Sequence, residues 1–202
     1  MRANHRYSLF AVAIALALSS GCGTLATQGR SPSQLVVVSI QTARGTGTVP
    51  SSGFTSGPLL SDVPNLANNE TVFDDFGQVS LRASLKDRGA PGVAAAPTPI
   101  NDISITSYHV EYRRSDGRSV AGVDVPLAFT GALPMTVAAE STAVGVFELV
   151  RHDAKLEPPL AALGVGDRVV TMIADVTFFG RDQAGNSVSA SASVQINFAN
   201  FA

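Results

Sequence analysis

Side chains able to do covalent, acid–base or metal chemistry are few and far apart in this chain of 202 residues. It has one cysteine, Cys22, and three histidines, His5, His109 and His152. A nucleophilic triad needs Ser or Cys beside a His and an acid. Serines are plentiful, yet no G-x-S-x-G elbow is present to hold one out for attack. His109 stands between Tyr108 and Val110, and strand alternation places it on the face opposite Tyr108 and Tyr112. His152 lies between Arg151 and Asp153, at the end of an apolar run. Neither neighbourhood tunes an imidazole as a general acid or base. Zinc is not expected, because no His/Cys cluster has ligand spacing. Calcium needs only oxygen ligands. Its candidates are Asp74 and Asp75 with Asn68-Asn69-Glu70, and Asp182 with Asn186, and neither set has the alternating spacing of an EF-hand. Asp182 is more simply read as bonding the backbone of its own turn. Gly45-Thr46-Gly47 lacks the Lys-Ser/Thr of a phosphate loop. Arg113, Arg114 and Arg118 flank a turn and could bind an anionic glycan, yet an exposed hairpin rich in charge is usually only solvated. No cofactor is expected.

Composition narrows the class further. Charged residues make up only 15% of the chain and the formal charge is −2. A mildly acidic protein offers no basic footprint for nucleic acid, which needs cations to displace its counterions. Anionic headgroups would not attract it either. Eighteen Gly and eleven Pro, with no Trp, point to a turn-rich, all-β chain.

The first 22 residues carry the clearest signal. Arg2, His5 and Arg6 make a positive start, Leu9 to Leu18 is an unbroken apolar run, and Ser19-Ser20-Gly21 are small. That order reads as a cleaved export signal over 1–21. A ten-residue run is too short for a span, which takes about 20 residues. A single cysteine in an exported chain is free, intermolecular or modified. Leu18-Ser19-Ser20-Gly21-Cys22 resembles the lipobox of bacterial lipoproteins, with its Leu one place earlier than that family prefers. The resemblance implies lipidation of the Cys22 thiol and acylation of the new amino terminus. It also implies an outer-membrane address, since Gly23 stands where an inner-membrane retention Asp would be. Two or more acyl chains anchor stably where one does not. Residues 22–33 then read as a lipidated terminus and polar tether broken by Pro32.

From Gln34 the pattern turns to strands, and 34–202 reads as one domain. Leu35-Val36-Val37-Val38-Ser39-Ile40 is β-branched. Residues 45–70 form a long Gly/Ser/Pro/Asn stretch, with a short strand around Phe54 or a functional loop as its readings. Val79, Leu81, Ala83 and Leu85 alternate with polar residues. Ile103, Ile105, Tyr108, Val110 and Tyr112 make another strand; Val123 to Phe129 and Val144 to Val150 are two more. Glu157 to Leu163 supplies at most one helical turn. The strongest element is a hairpin: 169–180 and 187–198 alternate with period two on either side of Asp182-Gln183-Ala184-Gly185-Asn186.

About seven strands, regular turns and no convincing helix predict a single antiparallel β-sandwich. Thr177-Phe-Phe-Gly-Arg-Asp-Gln-Ala-Gly-Asn186 and its following strand resemble the last hairpin of bacterial immunoglobulin-like domains. Tyr108-His-Val-Glu-Tyr-Arg113 is similar to the third strand of fibronectin type III modules. The resemblance implies an immunoglobulin-like sandwich without the buried Trp and paired cysteines of antibody domains. The function expected is a non-enzymatic envelope lipoprotein whose sandwich is a binding, adhesive or assembly module. Its partners would be the membrane, through the anchor, and an envelope protein or glycan. The alternative is an envelope hydrolase with a site near His109 or His152.

Overall fold

The computed structural model describes residues 29–201 apart from 88, 91, 92 and 95. The signal over 1–21, Cys22 and the first part of the tether lie outside the described residues. Eight strands build two packed sheets. One sheet has the order β1 (Ser33–Ala43), β3 (Asp75–Leu85), β8 (Thr142–Val150). The other runs β2 (Leu59–Asp62), β10 (Ser187–Ala199), β9 (Val170–Asp182), β6 (Ile103–Arg114), β7 (Phe129–Val137). Every pairing is antiparallel except β2 on β10. A two-residue hairpin, β4 (Gly89–Ala90) with β5 (Val93–Ala94), decorates the loop before β6. The architecture is an all-β sandwich of two packed sheets.

Alternating residues of both sheets meet in one core. Leu35, Val79, Leu81, Phe147 and Leu149 face Ile105, Val110, Met172, Val176, Phe178 and Ile196, all buried. Burying a side chain such as Phe178 contributes roughly 1.5–3 kcal/mol. At the centre Tyr108 packs on Phe147 at 4.9 Å between ring centroids, and Phe147 meets Phe178 edge-on at 5.4 Å. Gly131 and Gly77 make this possible, since a Cβ on either would run into the Tyr108 or Phe147 ring.

Bulges explain the two places where the apolar pattern slips. Ile105 and Tyr108 are three residues apart, yet both point inward, because the ladder shifts register between Ile105 and Ser107. The same device between Val37 and Ser39 leaves both Val38 and Ser39 exposed and brings Ile40 and Thr42 inward.

Two sequence readings need correction. The strand expected over Val123 to Phe129 is a turn that closes on Val120, with the Gly122 N–H donating to the Val125 carbonyl. The strand itself begins at Phe129 and continues through Pro134 to Val137. As the outermost strand of its sheet, β7 tolerates a proline that a central strand would not. The long stretch 45–70 contains a real strand, β2, while near Phe54 only Thr55 bridges back to Thr42. The packed chain also reaches back to Ser31. Ser31 and Ser33 are buried, and the Ser33 hydroxyl donates to the Asn101 carbonyl. The expected hairpin is present along its full length, from Ser187 opposite Arg181 to Phe198 opposite Val170.

Candidate functional site

The strand directions divide the loops between two ends. At the entry end lie the start of β1, the loop into β6, and the turns after β7 and β9. At the distal end lie the segments after β1, β2, β6 and β8, and those leading into β3 and β9. A row of clefts follows the distal end. The first, about 340 Å³, lies between Arg44–Thr46 and Thr71–Phe73, with Lys155 at its floor. Phe73 also borders the second, about 410 Å³, which continues past Asp74 and His152 to Glu148. A third wraps the edge of β8 between Phe76, Tyr108 and Arg151.

Beneath the first cleft sits a fully buried ion pair. Asp75 opens β3, and Lys155 lies in α1 (His152–Leu156), a five-residue helix directly after β8. The Lys155 Nζ is 2.8 Å from Asp75 Oδ2 and also donates to the Phe73 carbonyl at 2.8 Å. Oδ2 further accepts from the Ser61 hydroxyl at 2.6 Å, and Oδ1 accepts the Gly45 N–H at 3.0 Å. Four segments therefore meet on one carboxylate and one ammonium. Buried charge is tolerable only when paired and hydrogen-bonded, as it is here. The sequence reading took Asp75 as a calcium candidate and did not single out Lys155. Eighty positions separate the two, and no local spacing links them.

The other candidate ligands are likewise taken by the chain. Asp74 Oδ1 accepts the His152 N–H at 2.7 Å and stands 3.2 Å from His152 Nδ1. Glu70 accepts from the Asn65 N–H and the Asn200 amide; Asn68 and Asn69 close a short 3-10 turn. Asp182 accepts from the Asn186 N–H and side-chain amide, both at 2.8 Å. Burial raises the Asp182 pKa, but bonds from Asn186, Ser31 and Ala184 outweigh it and hold the carboxyl below its ordinary value. Among the described residues no group of three or more His, Cys, Asp or Glu is arranged to hold a metal ion.

The histidines sit apart from each other. His109 lies on the outer face of the five-stranded sheet, its Nδ1 2.9 Å from the Thr130 hydroxyl and its Nε2 3.2 Å from Glu111. His152 is the first residue of α1, its Nδ1 facing Asp74 and its Nε2 2.8 Å from Asp153. Both of its ring nitrogens thus meet carboxylates, and neither is aimed at a hydroxyl. Tyr108 borders the third cleft; burial and the nearby Glu148 charge push its hydroxyl up to about 12, so it stays neutral at physiological pH. Arg151 caps the adjoining Phe129 ring, with its guanidinium carbon 4.1 Å from the ring centroid. Arg113, Arg114 and Arg118 are drawn onto Asp175, Asp116 and Asp124, three carboxylates for three guanidinium groups, which leaves the turn neutralised rather than basic.

Exposed apolar side chains also favour the distal end. Val49, Phe73, Val123, Leu127, Val165 and Val169 all stand out there, with Val165 70% exposed. In the entry-end loops, among the described residues, Ile100 is the comparable case, while Val36, Val144 and Phe179 are exposed on strand faces. No protein-family model, curated protein or solved structure matches this chain.

Proposed function

We propose that this chain is a lipid-anchored envelope protein and that its sandwich is a non-enzymatic binding, adhesive or assembly module presenting the distal end. The observation that carries the reading is the placement of the two ends. β1 begins at the entry end, so the chain before it joins the domain there, whereas clefts and exposed apolar loops gather at the other. β1 has eleven residues, so about 35 Å of sheet separates the ends. An anchor on Cys22, followed by a short polar tether, would hold the entry end toward the bilayer. About eight tether residues average roughly 15 Å end to end and reach about 28 Å when extended. The cleft-bearing end would then face away from the lipid. Pockets formed by loops on a rigid sandwich suit recognition of a partner.

Fractionation tests the anchor. Cys22→Ser is expected to release the protein from the membrane or leave uncleaved precursor. Normal processing with unchanged membrane retention would overturn the lipoprotein reading. Envelope cross-linking tests the module. A partner captured by the wild type should be lost with Val123→Asp and Leu127→Asp, and kept with Ile100→Asp. The reverse pattern would place binding at the wrong end.

A further inference from the structure

We propose that Lys155 and Asp75 condense into an intramolecular amide, a covalent staple beneath the first distal cleft. Both side chains are shut away from water, at 2% and 0% exposure, and the Lys155 Nζ is 2.8 Å from Asp75 Oδ2. A carboxyl C–O bond adds about 1.2 Å, so the nitrogen stands at most about 4 Å from the carbon it would attack. Two groups locked this close react as if at a concentration far above any reached in solution. The choice of residue points the same way. Arg suits a buried ion pair better than Lys, because its fork is planar and more weakly hydrated. This chain has twelve Arg and two Lys, and yet a Lys stands opposite the buried carboxylate. Lysine brings what arginine lacks, an amine that becomes a nucleophile once it gives up a proton.

The step is a loss of water and needs no other reagent. A proton passes from Nζ to Oδ2 along their 2.8 Å contact, which leaves an amine and a carboxylic acid. The freed lone pair forms the N–C bond while the C=O electrons move onto Oδ1. There the Gly45 N–H, donating at 3.0 Å, meets the developing negative charge as an oxyanion donor does. A second proton then passes from nitrogen to the Oδ2 hydroxyl, the C–Oδ2 bond breaks, and Oδ1 recovers its double bond. The Ser61 hydroxyl, 2.6 Å from Oδ2, steadies the oxygen that departs. Water leaves toward the first cleft, which Lys155 lines.

The surroundings suit the product as well as the reactants. The one N–H left on nitrogen keeps the Phe73 carbonyl that Nζ bonds at 2.8 Å, and the amide oxygen keeps the Gly45 N–H. Two buried charges become one neutral, hydrogen-bonded amide, which removes the desolvation cost of the ion pair. The staple joins the first residue of β3 to the helix that follows β8. Gly45 and Phe73, on opposite lips of the cleft, stay bonded to it.

Peptide mass spectrometry on the detergent-solubilised full chain, digested with trypsin after denaturation, tests the proposal. Trypsin cuts after Arg44 and Arg82 and after Arg151 and Arg168. The stapled protein should therefore give a branched peptide joining 45–82 to 152–168, uncut at Lys155 and one water lighter than its two arms. Fragmentation should place the branch on Lys155 and Asp75, and this species should dominate in the wild type. Lys155→Arg keeps the positive charge but has no amine to acylate, and should yield unlinked peptides alone. Wild-type protein in which Lys155 and Asp75 are recovered on separate linear peptides would overturn the amide, whatever the variant does. A branch that persists in Lys155→Arg would overturn it as well.

Discussion

At the entry end, carboxylates accept backbone N–H groups, within one turn at Asp182 and between segments at Asp102 and Glu140. Asp182 closes its own hairpin turn, Asp102 accepts the Ala139 N–H, and Glu140 accepts the Leu85 N–H while pairing with Arg82. The bond to Leu85, with help from Arg82, holds the Glu140 carboxyl below its ordinary value. At the distal end the connections are longer, and a single buried ion pair holds four of their segments together. The entry-end turns after β7 and β9 are short. Four distal segments lean on Lys155 and Asp75, and clefts lie where they part. One end is held by separate carboxylate-to-backbone bonds, the other is braced by one buried ion pair, and clefts lie beside that pair.

Breaking the brace should have the largest effect on stability. Lys155→Met leaves Asp75 charged and buried without its partner, and is expected to cost about 3–5 kcal/mol in a denaturant melt. Lys155→Met with Asp75→Asn should recover part of that loss. If the single variant melts like the wild type, the distal end does not depend on the pair.

At the entry end the sharpest local test is Gly185→Val. Gly185 has φ 85° and open space around it, so only backbone strain opposes the new side chain. The expected cost is about 1–2 kcal/mol, read as a lowered melting temperature. A loss matching that of Lys155→Met would erase the contrast between the two ends.

Acid should also weaken the entry end. The Asp182 and Glu140 carboxyls are held below their unfolded values, so their contribution is fully present above about pH 4–5. It is lost as pH falls through their lower folded values. Asp182→Asn should therefore flatten the acid limb of the stability curve, measured by melts between pH 7 and pH 3. An unchanged limb would show that this carboxylate does not brace the turn. The smallest effect is expected from Val123→Ser on an exposed distal loop, within about 0.5 kcal/mol of wild type. A larger loss would mean that the residue supports the fold instead of facing a partner.

Much of the frame was legible in the sequence because strand patterning is local. Period two over 169–180 and 187–198 marks a hairpin with one buried face, and Asp-Gln-Ala-Gly-Asn marks its turn. Asp182 was also readable as a turn residue, since its donors lie within four positions. The strand at Phe129–Val137 was harder. Its burial is irregular and it contains Pro134, because an edge strand is free of the constraints that make central strands recognisable. β2 was hidden by its four-residue length and by a pairing partner more than 130 positions away.

The sequence by itself determined the two-sheet class, the hairpin that closes it and the residues that turn inward, because each follows from neighbours a few positions apart. Only the tertiary structure decided that Asp75 meets Lys155 instead of a cation, that His109 and His152 lie on different parts of the molecule, and that one end carries the clefts. A buried charge chooses its partner by proximity in space and by exclusion from water. Neither quantity exists along a chain until the sheets have packed.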